Sequence, residues 1–348
     1  MSTNQKIVVW NCRGAANKAF FRYCKQYIDR HKPCMLVIVE KRCDPLKLHK
    51  SFMRLGFDSM ESVDNSGFAR GIIIAWKSWE LNVQLCDKDE QFLHTKINID
   101  RNCTWNFTAI YARPNEVSKK KLWEDLEKLA QNINDPWMVA GDFNDIAHVT
   151  EKKGGVQASS QRCGRMRGRM DNCNLSDLEA RGPKFTWRGP VFHGGQRIYE
   201  KLDRAITNDE WRLKFPDSFV KVLTRVEFSD HHPILISLYE ECYSYQQRPF
   251  RFETAWIMNE TYVNMLHDSW KEDNSIINNL KNVVDGIENW KFNSFDQIKR
   301  IKSALIRRLN GVQHKLQLHD NRGGMRRLEV KLQGELSNIL NQEELMWY

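Results

Sequence analysis

The sequence predicts an α/β fold, a four-layer sandwich of two packed mixed β-sheets flanked by helices, with a C-terminal helical extension. Three observations carry this prediction. Over the first 240 residues, short β-branched runs alternate with amphipathic stretches, as in sheets covered by helices. Several runs, such as KIVVWN, CMLVIVEK and GIIIAWK, are apolar almost throughout, the mark of strands buried on both faces. Beyond residue 240 the strand signals fade, and 255–270 and 276–348 read as helix.

Taken in order, KIVVWN is a buried strand and about 17–31 (KAFFRYCKQYIDRHK) a helix. CMLVIVEK is a second buried strand. GIIIAWK, LNVQLC, HTKINI and WNFTAIYA follow as short strands, with NCT as a turn before the last. KKKLWEDLEKLAQNI sets Leu122, Leu126 and Leu129 on one helical face. WMVAGDFND is an apolar strand ending in acidic residues, and KFTWRG, YEKLDRAIT and HPILISL complete the β-rich series. YSYQQRPFRF reads as a connector, which sets the domains at 1–245 and 246–348.

Composition narrows the function classes. The chain has 348 residues, 41% of them hydrophobic, enough for a sizeable core and too many for global disorder. Its nine cysteines are odd in number and form no CxxC pair, which argues against a zinc ribbon or a secreted disulfide framework and for a reducing compartment. No apolar stretch approaches a membrane span, and MSTNQKIVVW is not a signal peptide. A formal net charge of +9 favours a polyanionic partner: DNA, RNA or an anionic membrane surface.

Four strands run from apolar residues into a charged or amide residue: VVWN at Asn11, VIVE at Glu40, VAGDFN at Asp142 and Asn144, and FSDHHP at Asp230 and His231. Ligands in layered α/β folds collect where strand ends converge. With Asp203 in KLDRA and Tyr111 in AIYARP, these residues form a candidate constellation. Glu40 and Asp230 are oxygen donors and Asn11 a neutral acceptor. Few carboxylates without a Cys/His cluster suit Mg²⁺, which keeps waters and one or two carboxylates beside a substrate phosphate; Mn²⁺ could replace it. Asp142 could take a proton from water. His231 could hold a phosphoryl oxygen if Asp203 orients the ring and favours its protonated form. Asn144 and Tyr111 are neutral donors for a phosphate. Each residue also has an ordinary reading: a turn at Asn11, an exposed strand end at Glu40, an Asx turn in GDFN, a half-buried aromatic at Tyr111, an ion pair with Arg204 for Asp203, and a polar turn capped by Ser229 or Asp230. Joint occurrence in this order is what those readings explain poorly.

The motifs WNCRG, VIVEK, IYARP, AGDFND, KFTW, KLDRA and SDHHPI, in this order, resemble the endonuclease/exonuclease/phosphatase superfamily, the DNase I-like fold. EKKGG, LSDLEARGPKFTW, LDRAITNDEWRLKFP and RPFRFETAW narrow the resemblance to apurinic-type endonuclease domains of plant non-LTR (LINE-type) retrotransposons. It spans about residues 5–260. The remaining helices, ending at NQEELMWY, look like the connector that precedes a reverse transcriptase in such polyproteins; here the chain stops. The resemblance implies a Mg²⁺-dependent endonuclease. It implies that Asn11, Glu40 and Asp230 lie on the metal side, with Glu40 the principal ligand. Tyr111 and Asn144 then contact phosphate, Asp142 activates water, and Asp203 orients His231, with His232 a variable follower. Two departures stand out. Lys41 follows Glu40 where the family usually has Thr, which could perturb metal or DNA binding, and Arg70 stands where relatives commonly have Gly.

DNA cleavage needs phosphate contacts. EKKGGVQASSQRCGRMRGRMDN supplies Lys152, Lys153, Arg162, Arg165, Arg167 and Arg169, although such runs are often solvated faces. Thr186 and Trp187, in the KFTW hairpin, lie against DNA by family analogy, with a core tryptophan as the ordinary reading of Trp187. Between Lys299 and Lys331 ten Lys/Arg stand against two acidic residues, here read as a connector helix. The expected partner is therefore the DNA backbone, with template RNA as a second candidate, no membrane and a nuclear location. Oligomeric state is not encoded legibly. The competing functions are a phosphatase of inositol phosphates or lipids, a DNA-binding remnant without turnover, and abasic-site repair.

Overall fold

The computed structural model describes residues 5–15, 18–64, 71–100, 103–178, 180–192, 195–239, 256, 260–290, 297–318 and 323–345. The chain divides into two compact units: 1–241 with 310–328, and 242–309 with 329–348.

In the first unit, strand β1 (Lys6–Asn11) leads through helix α1 (Lys18–His31) to β2 (Met35–Val39), α2 (Pro45–Arg54), β3 (Ser59–Asp64) and β4 (Gly71–Trp76). A meander of β5 (Asn82–Asp89), β6 (Phe92–Asp100) and β7 (Cys103–Tyr111) precedes α3 (Glu116–Asn132) and β8 (Trp137–Asp142). After a 3₁₀ turn come β9 (Lys152–Lys153), α4 (Ser160–Asn172), β10 (Ser176–Asp177) and β11 (Ala180–Arg181). β12 (Trp187–Val191), β13 (Arg197–Glu200), β14 (Asp203–Thr207), α5 (Asp209–Lys214), β15 (Phe219–Val222) and β16 (Ile234–Ser237) close the series.

These strands build a seven-stranded mixed sheet, β11-β15-β16-β1-β2-β4-β3, and a six-stranded mixed sheet, β10-β14-β8-β7-β6-β5. The period-2 alternation of side chains decides what each face meets. Ile7, Val9, Met35, Val37 and Val39 of the first sheet pack with Trp105, Phe107, Ala109, Met138 and Ala140 of the second in one core. The opposite face of the second sheet (Ile110, Val139, Ile206) packs on Leu122, Trp123 and Leu126 of α3 and Met166 and Met170 of α4. On the outer face of the first sheet, Trp10 stacks on Phe20 of α1 and meets Tyr27 edge-on. The four layers are thus helix, sheet, sheet, helix. A third, small sheet, β12-β13-β9, stands beside them.

Three local expectations need revision. Helix α4 was foreseen only as a basic run. Ser159 caps it, and Cys163, Met166 and Met170 are buried along one face, which outweighs the two internal glycines. YEKLDRAIT is not one strand but β13 and β14, separated at 201–202. The helical reading of 276–348 resolves into α7, α8 and α9 of the chain's last part. There, α6 (Glu260–Ser269) and α7 (Ile276–Trp290) pack around Trp256, Tyr262, Ile287 and Trp290. Helices α8 (Gln297–Leu318) and α9 (Gly323–Leu345) each contribute residues to both units. The whole connector stretch YSYQQRPFRF at 243–252, and Arg70, lie outside the described residues. Among the described residues no helix is long and apolar enough to cross a membrane.

Candidate active site

Strand register alone brings three of the expected residues together. β7 runs parallel to β8 with Tyr111 opposite Asp142, and β14 runs antiparallel to β8 with Asp203 opposite Asp142. Neighbouring strands lie about 4.8 Å apart, so Tyr111, Asp142 and Asp203 form a row across the end of the six-stranded sheet. On the other sheet, β1 and β2 are parallel, with Asn11 opposite Val39, and Glu40 follows at once. A cleft of about 600 Å³ opens where the two sheets' ends meet; Asn11, Glu40, Tyr111, Asp142, Asn144 and His231 all line it.

The backbone is unusual at these ends. Gly141 has φ +153°, and a Cβ there would stand 2.0 Å from the Ile110 carbonyl oxygen, so only glycine permits the close approach of β7. Glu40 and Asn144 both adopt left-handed φ, +57° and +48°. Non-glycine residues hold such a conformation only when their surroundings fix it. At Asn144 the surroundings are evident. Its N–H donates to Asp142 Oδ1 (2.9 Å), and its side-chain Nδ2 donates to the Ala112 carbonyl (2.8 Å) and Asp142 Oδ2 (3.2 Å). Its own carbonyl accepts from Lys119 Nζ at 2.6 Å and from Arg162 at 3.4 Å. Both cations also pair with the buried Asp145.

Asp142 is almost wholly buried and receives a further hydrogen bond from Asn11 Nδ2 at 2.9 Å. Burial pushes its carboxyl up, to about 7; the His231 charge opposes this and the Asp203 charge adds to it. His231 Nδ1 lies 2.8 Å from Asp203 Oδ2, and its Nε2 lies 3.5 Å from Asn11 Nδ2 and 4.0 Å from Asp142 Oδ2. Burial by itself would lower the imidazole pKa. The carboxylate of Asp203, its hydrogen bond, and the nearby charges of Asp142 and Asp230 more than offset this, and the ring rises to about 9. An imidazolium held by Asp203 at Nδ1 thus turns Nε2 toward the cleft and Asp142. His232, by contrast, donates Nδ1–H to the Leu223 carbonyl (2.8 Å), and burial depresses it to about 3. It is a neutral core residue.

The other side of the cleft is arranged differently. Tyr111 donates its hydroxyl to Glu40 Oε1 at 3.0 Å, and Arg42 donates to the same oxygen at 3.0 Å. Arg13 lies 3.8 Å from Glu40 Oε2 and bonds Asp230 Oδ2 at 2.5 Å. Trp187 Nε1 donates to that same Asp230 oxygen at 2.8 Å, while Asp230 Oδ1 is buried with no hydrogen-bond partner. Lys41 is buried, donates to the Cys43 carbonyl and is not among the residues that line the cleft. Among the described residues, one group of three could gather an ion as it stands: Asp142, Asp203 and His231, whose ligand atoms lie within 4.8 Å of one another. Their inner lone pairs already accept from Asn11 and Asn144 or pair Asp203 with the imidazole, which makes the trio an acid–base chain.

The residues expected against DNA divide. Thr186 is buried, and its hydroxyl accepts from the Leu202 and Asp203 N–H groups. Trp187 lines the cleft while holding Asp230. Lys152 pairs with Glu200 at 2.8 Å, and Lys153 donates to the Gln317 carbonyl at 2.7 Å. Arg167 donates to the Ala147 carbonyl, whereas Arg165 lines the cleft and pairs with Glu116 at 3.3 Å. Most of this basic run therefore supports neighbouring loops, with Arg165 and Arg162 reaching the cleft. Sequence reasoning missed Arg13 and Lys119, whose partners are far away in the chain, and Arg42, which pairs with Glu40 two residues before it. The Arg of WNCRG was the one signal for them.

The endonuclease/exonuclease/phosphatase family model matches residues 8–231. The chain belongs to this family. The match takes in every residue of the constellation, and family members are in general phosphodiester hydrolases. Solved structures agree on the fold. The endonuclease domain of TRAS1, a telomere-specific non-LTR retrotransposon, is 14% identical at a TM-score of 0.51, over 67% of this chain and 97% of that one. An AP endonuclease from Leishmania major is 15% identical at 0.54, over 69% and 89%. An AP endonuclease from Archaeoglobus fulgidus is 16% identical at 0.50, over 67% and 98%. No curated protein matches the chain in sequence.

Proposed function

We propose that this chain is a Mg²⁺-dependent endonuclease that nicks one strand of DNA for a plant LINE-type retrotransposon. The observation that carries the reading is that Asn11, Asp142 and His231 line one cleft with Glu40, with Asn11 bonded to Asp142 and His231 to Asp203 behind it. Asp142, buried and raised to about 7, takes a proton from a water near neutral pH. That water's oxygen attacks phosphorus in line with the departing 3′-oxygen. The P–O3′ bond breaks and the departing 3′-oxygen takes a proton from solvent water, giving a 3′-hydroxyl, able to prime reverse transcription, and a 5′-phosphate. Protonated His231 donates from Nε2 to a phosphoryl oxygen, and Asp203 holds the ring in place. The donor set of the opposite wall fits a hard divalent ion: the buried Glu40 carboxylate, the Asn11 amide oxygen and the unpartnered Asp230 Oδ1. When bound there, such an ion neutralises charge on the phosphate and the departing oxygen. Tyr111 positions Glu40 and Asn144 positions Asp142.

DNA as substrate is supported by the +9 charge, by Arg162 and Arg165 on the cleft wall, and by the motifs WNCRG, AGDFND and KFTW in order. The same motifs support the retrotransposon origin, a boundary near 245 ahead of a connector, and a nuclear site of action. A neighbour in fold, the 3′ phosphatase NExo from Neisseria, is bound to a product DNA hairpin, and DNA rather than a membrane is the proposed partner here. The test compares nicking of supercoiled plasmid in Mg²⁺ and in EDTA, beside phosphate release from inositol polyphosphates. Metal-dependent nicking without phosphate release is expected; phosphate release without nicking would assign the cleft to a phosphatase.

A further inference from the structure

Two glutamines one turn apart on α8 grip the backbone beneath the catalytic loops. Gln313 accepts from the Arg225 N–H at 3.0 Å and donates to the Arg225 carbonyl at 2.8 Å. Gln317 accepts from the Phe185 N–H at 3.3 Å and donates to the Phe185 carbonyl at 3.0 Å. Both side chains are buried. Each primary amide thus pairs with a peptide group as a neighbouring strand would, and satisfies two backbone groups that burial would otherwise leave costly.

Each grip connects to Asp203 or His231 through a short hydrogen-bonded path. Next to Phe185, Thr186 accepts at its hydroxyl from the Asp203 N–H (2.9 Å) and at its carbonyl from the His232 N–H (2.7 Å). Arg225 donates to the Ser229 carbonyl at 3.1 Å. The Ser229 hydroxyl accepts from the His231 N–H (3.0 Å) and donates to the Asn11 carbonyl (2.7 Å). The Lys153 ammonium fixes the same helical turn by donating to the Gln317 carbonyl. Residues 310–328 also belong to the first compact unit although they follow the second in sequence.

We infer that Gln313 and Gln317 are positioning residues: residues 310–318 of α8 belong to the catalytic unit and set Asp203 and His231 through the Phe185 and Arg225 peptides. The inference rests on the hydrolase reading for its kinetic consequence only. Loss of both grips removes the hydrogen bonds that tie the Phe185 and Arg225 peptides to α8 and lets both loops drift. A displacement on the order of 1 Å in a reacting group costs up to about 100-fold in rate.

The test uses the full chain with Gln313→Leu and Gln317→Leu together, which keeps the volume and removes the amides. Nicking kcat should fall by about 10-fold or more while KM for plasmid stays within about 2-fold. Amide hydrogen exchange should quicken at Asp203 and His231 as well as at Phe185 and Arg225. The single variants should separate: Gln317→Leu loosens Asp203, and Gln313→Leu loosens Ser229 and His231. They serve also if the double variant does not fold. Faster exchange confined to Phe185 and Arg225, with kcat unchanged, overturns the inference. If the wild-type chain does not nick DNA at all, the functional reading fails by itself, and the exchange pattern at Asp203 and His231 still decides whether α8 sets them.

Discussion

The two walls of the cleft are built on opposite plans. On the six-stranded side, Asp142 has a side chain 1% exposed, and donors from Asn11 and Asn144 hold both its oxygens. Strand register and a left-handed turn set its place. On the seven-stranded side, Glu40 and Asp230 are held in part by Arg13 and Arg42, whose side chains are 49% and 44% exposed. Long, solvated cations make weak and adjustable partners, whereas a closed buried network is rigid. One wall is finished as folded; the other keeps carboxylate charge and one unpartnered oxygen for something that arrives. The proposed function uses this difference: proton transfer on the first wall and cation binding on the second.

The sharpest way to break this contrast is Asp142→Asn. It should lower the plateau rate of plasmid nicking by about 10²- to 10⁴-fold and leave the half-saturating Mg²⁺ concentration unchanged, as initial rates across a Mg²⁺ titration would show. Glu40→Gln should do the converse: the half-saturating concentration rises by about 10- to 100-fold, and much of the plateau rate returns at high Mg²⁺. If both variants moved the same parameter, the division of labour would be lost.

A third prediction concerns the rigid wall's foundation. His94, buried on β6, bonds the Thr108 hydroxyl (2.8 Å), which also accepts from Trp137 Nε1 (2.9 Å). Burial depresses its imidazole to about 4 from the ordinary 6.5. The unfolded chain therefore takes up this proton first as pH falls. The resulting stability is fully present above 6.5 and is lost on the way down to about 4, by on the order of 3 kcal/mol at most. Urea unfolding of His94→Phe at pH 7 and pH 4.5 should show a smaller drop than wild type; an equal drop would place the acid sensitivity elsewhere. The smallest effect is expected on the adjustable wall. Arg42→Ala should change stability by no more than about 1 kcal/mol and lower the half-saturating Mg²⁺ concentration, since a fixed cation leaves Glu40.

Much of the fold was legible because burial writes itself into strands: KIVVWN, MLVIV and GIIIAW are β1, β2 and β4. Asn11, Glu40, Tyr111, Asp142 and Asn144 were legible as polar ends of apolar runs, and register explains why they meet. Pairings across the chain were not legible. Arg13 reaches Asp230 over 217 positions and Lys119 reaches Asn144 over 25, and no local pattern encodes such partners. The basic run at 152–169 shows the same limit: charge is visible in a sequence, but that Lys152 pairs with Glu200 while Arg162 and Arg165 reach the cleft is set by packing. Thr186 was noticed for its motif, yet its hydroxyl serves the Asp203 backbone. Helix α4 was obscured by Gly164 and Gly168, whose low propensity the buried Cys163–Met166–Met170 face overrides.

The central claim is that water, activated at Asp142, attacks phosphorus and expels the 3′-oxygen. Nicking in ¹⁸O-labelled water followed by mass analysis of the new termini tests it most directly. The account predicts one ¹⁸O in the 5′-phosphate, an unlabelled 3′-hydroxyl, and labelled product that forms about 10²- to 10⁴-fold more slowly with Asp142→Asn. A 3′-phosphate carrying the label, or equal labelling by the variant, would contradict it.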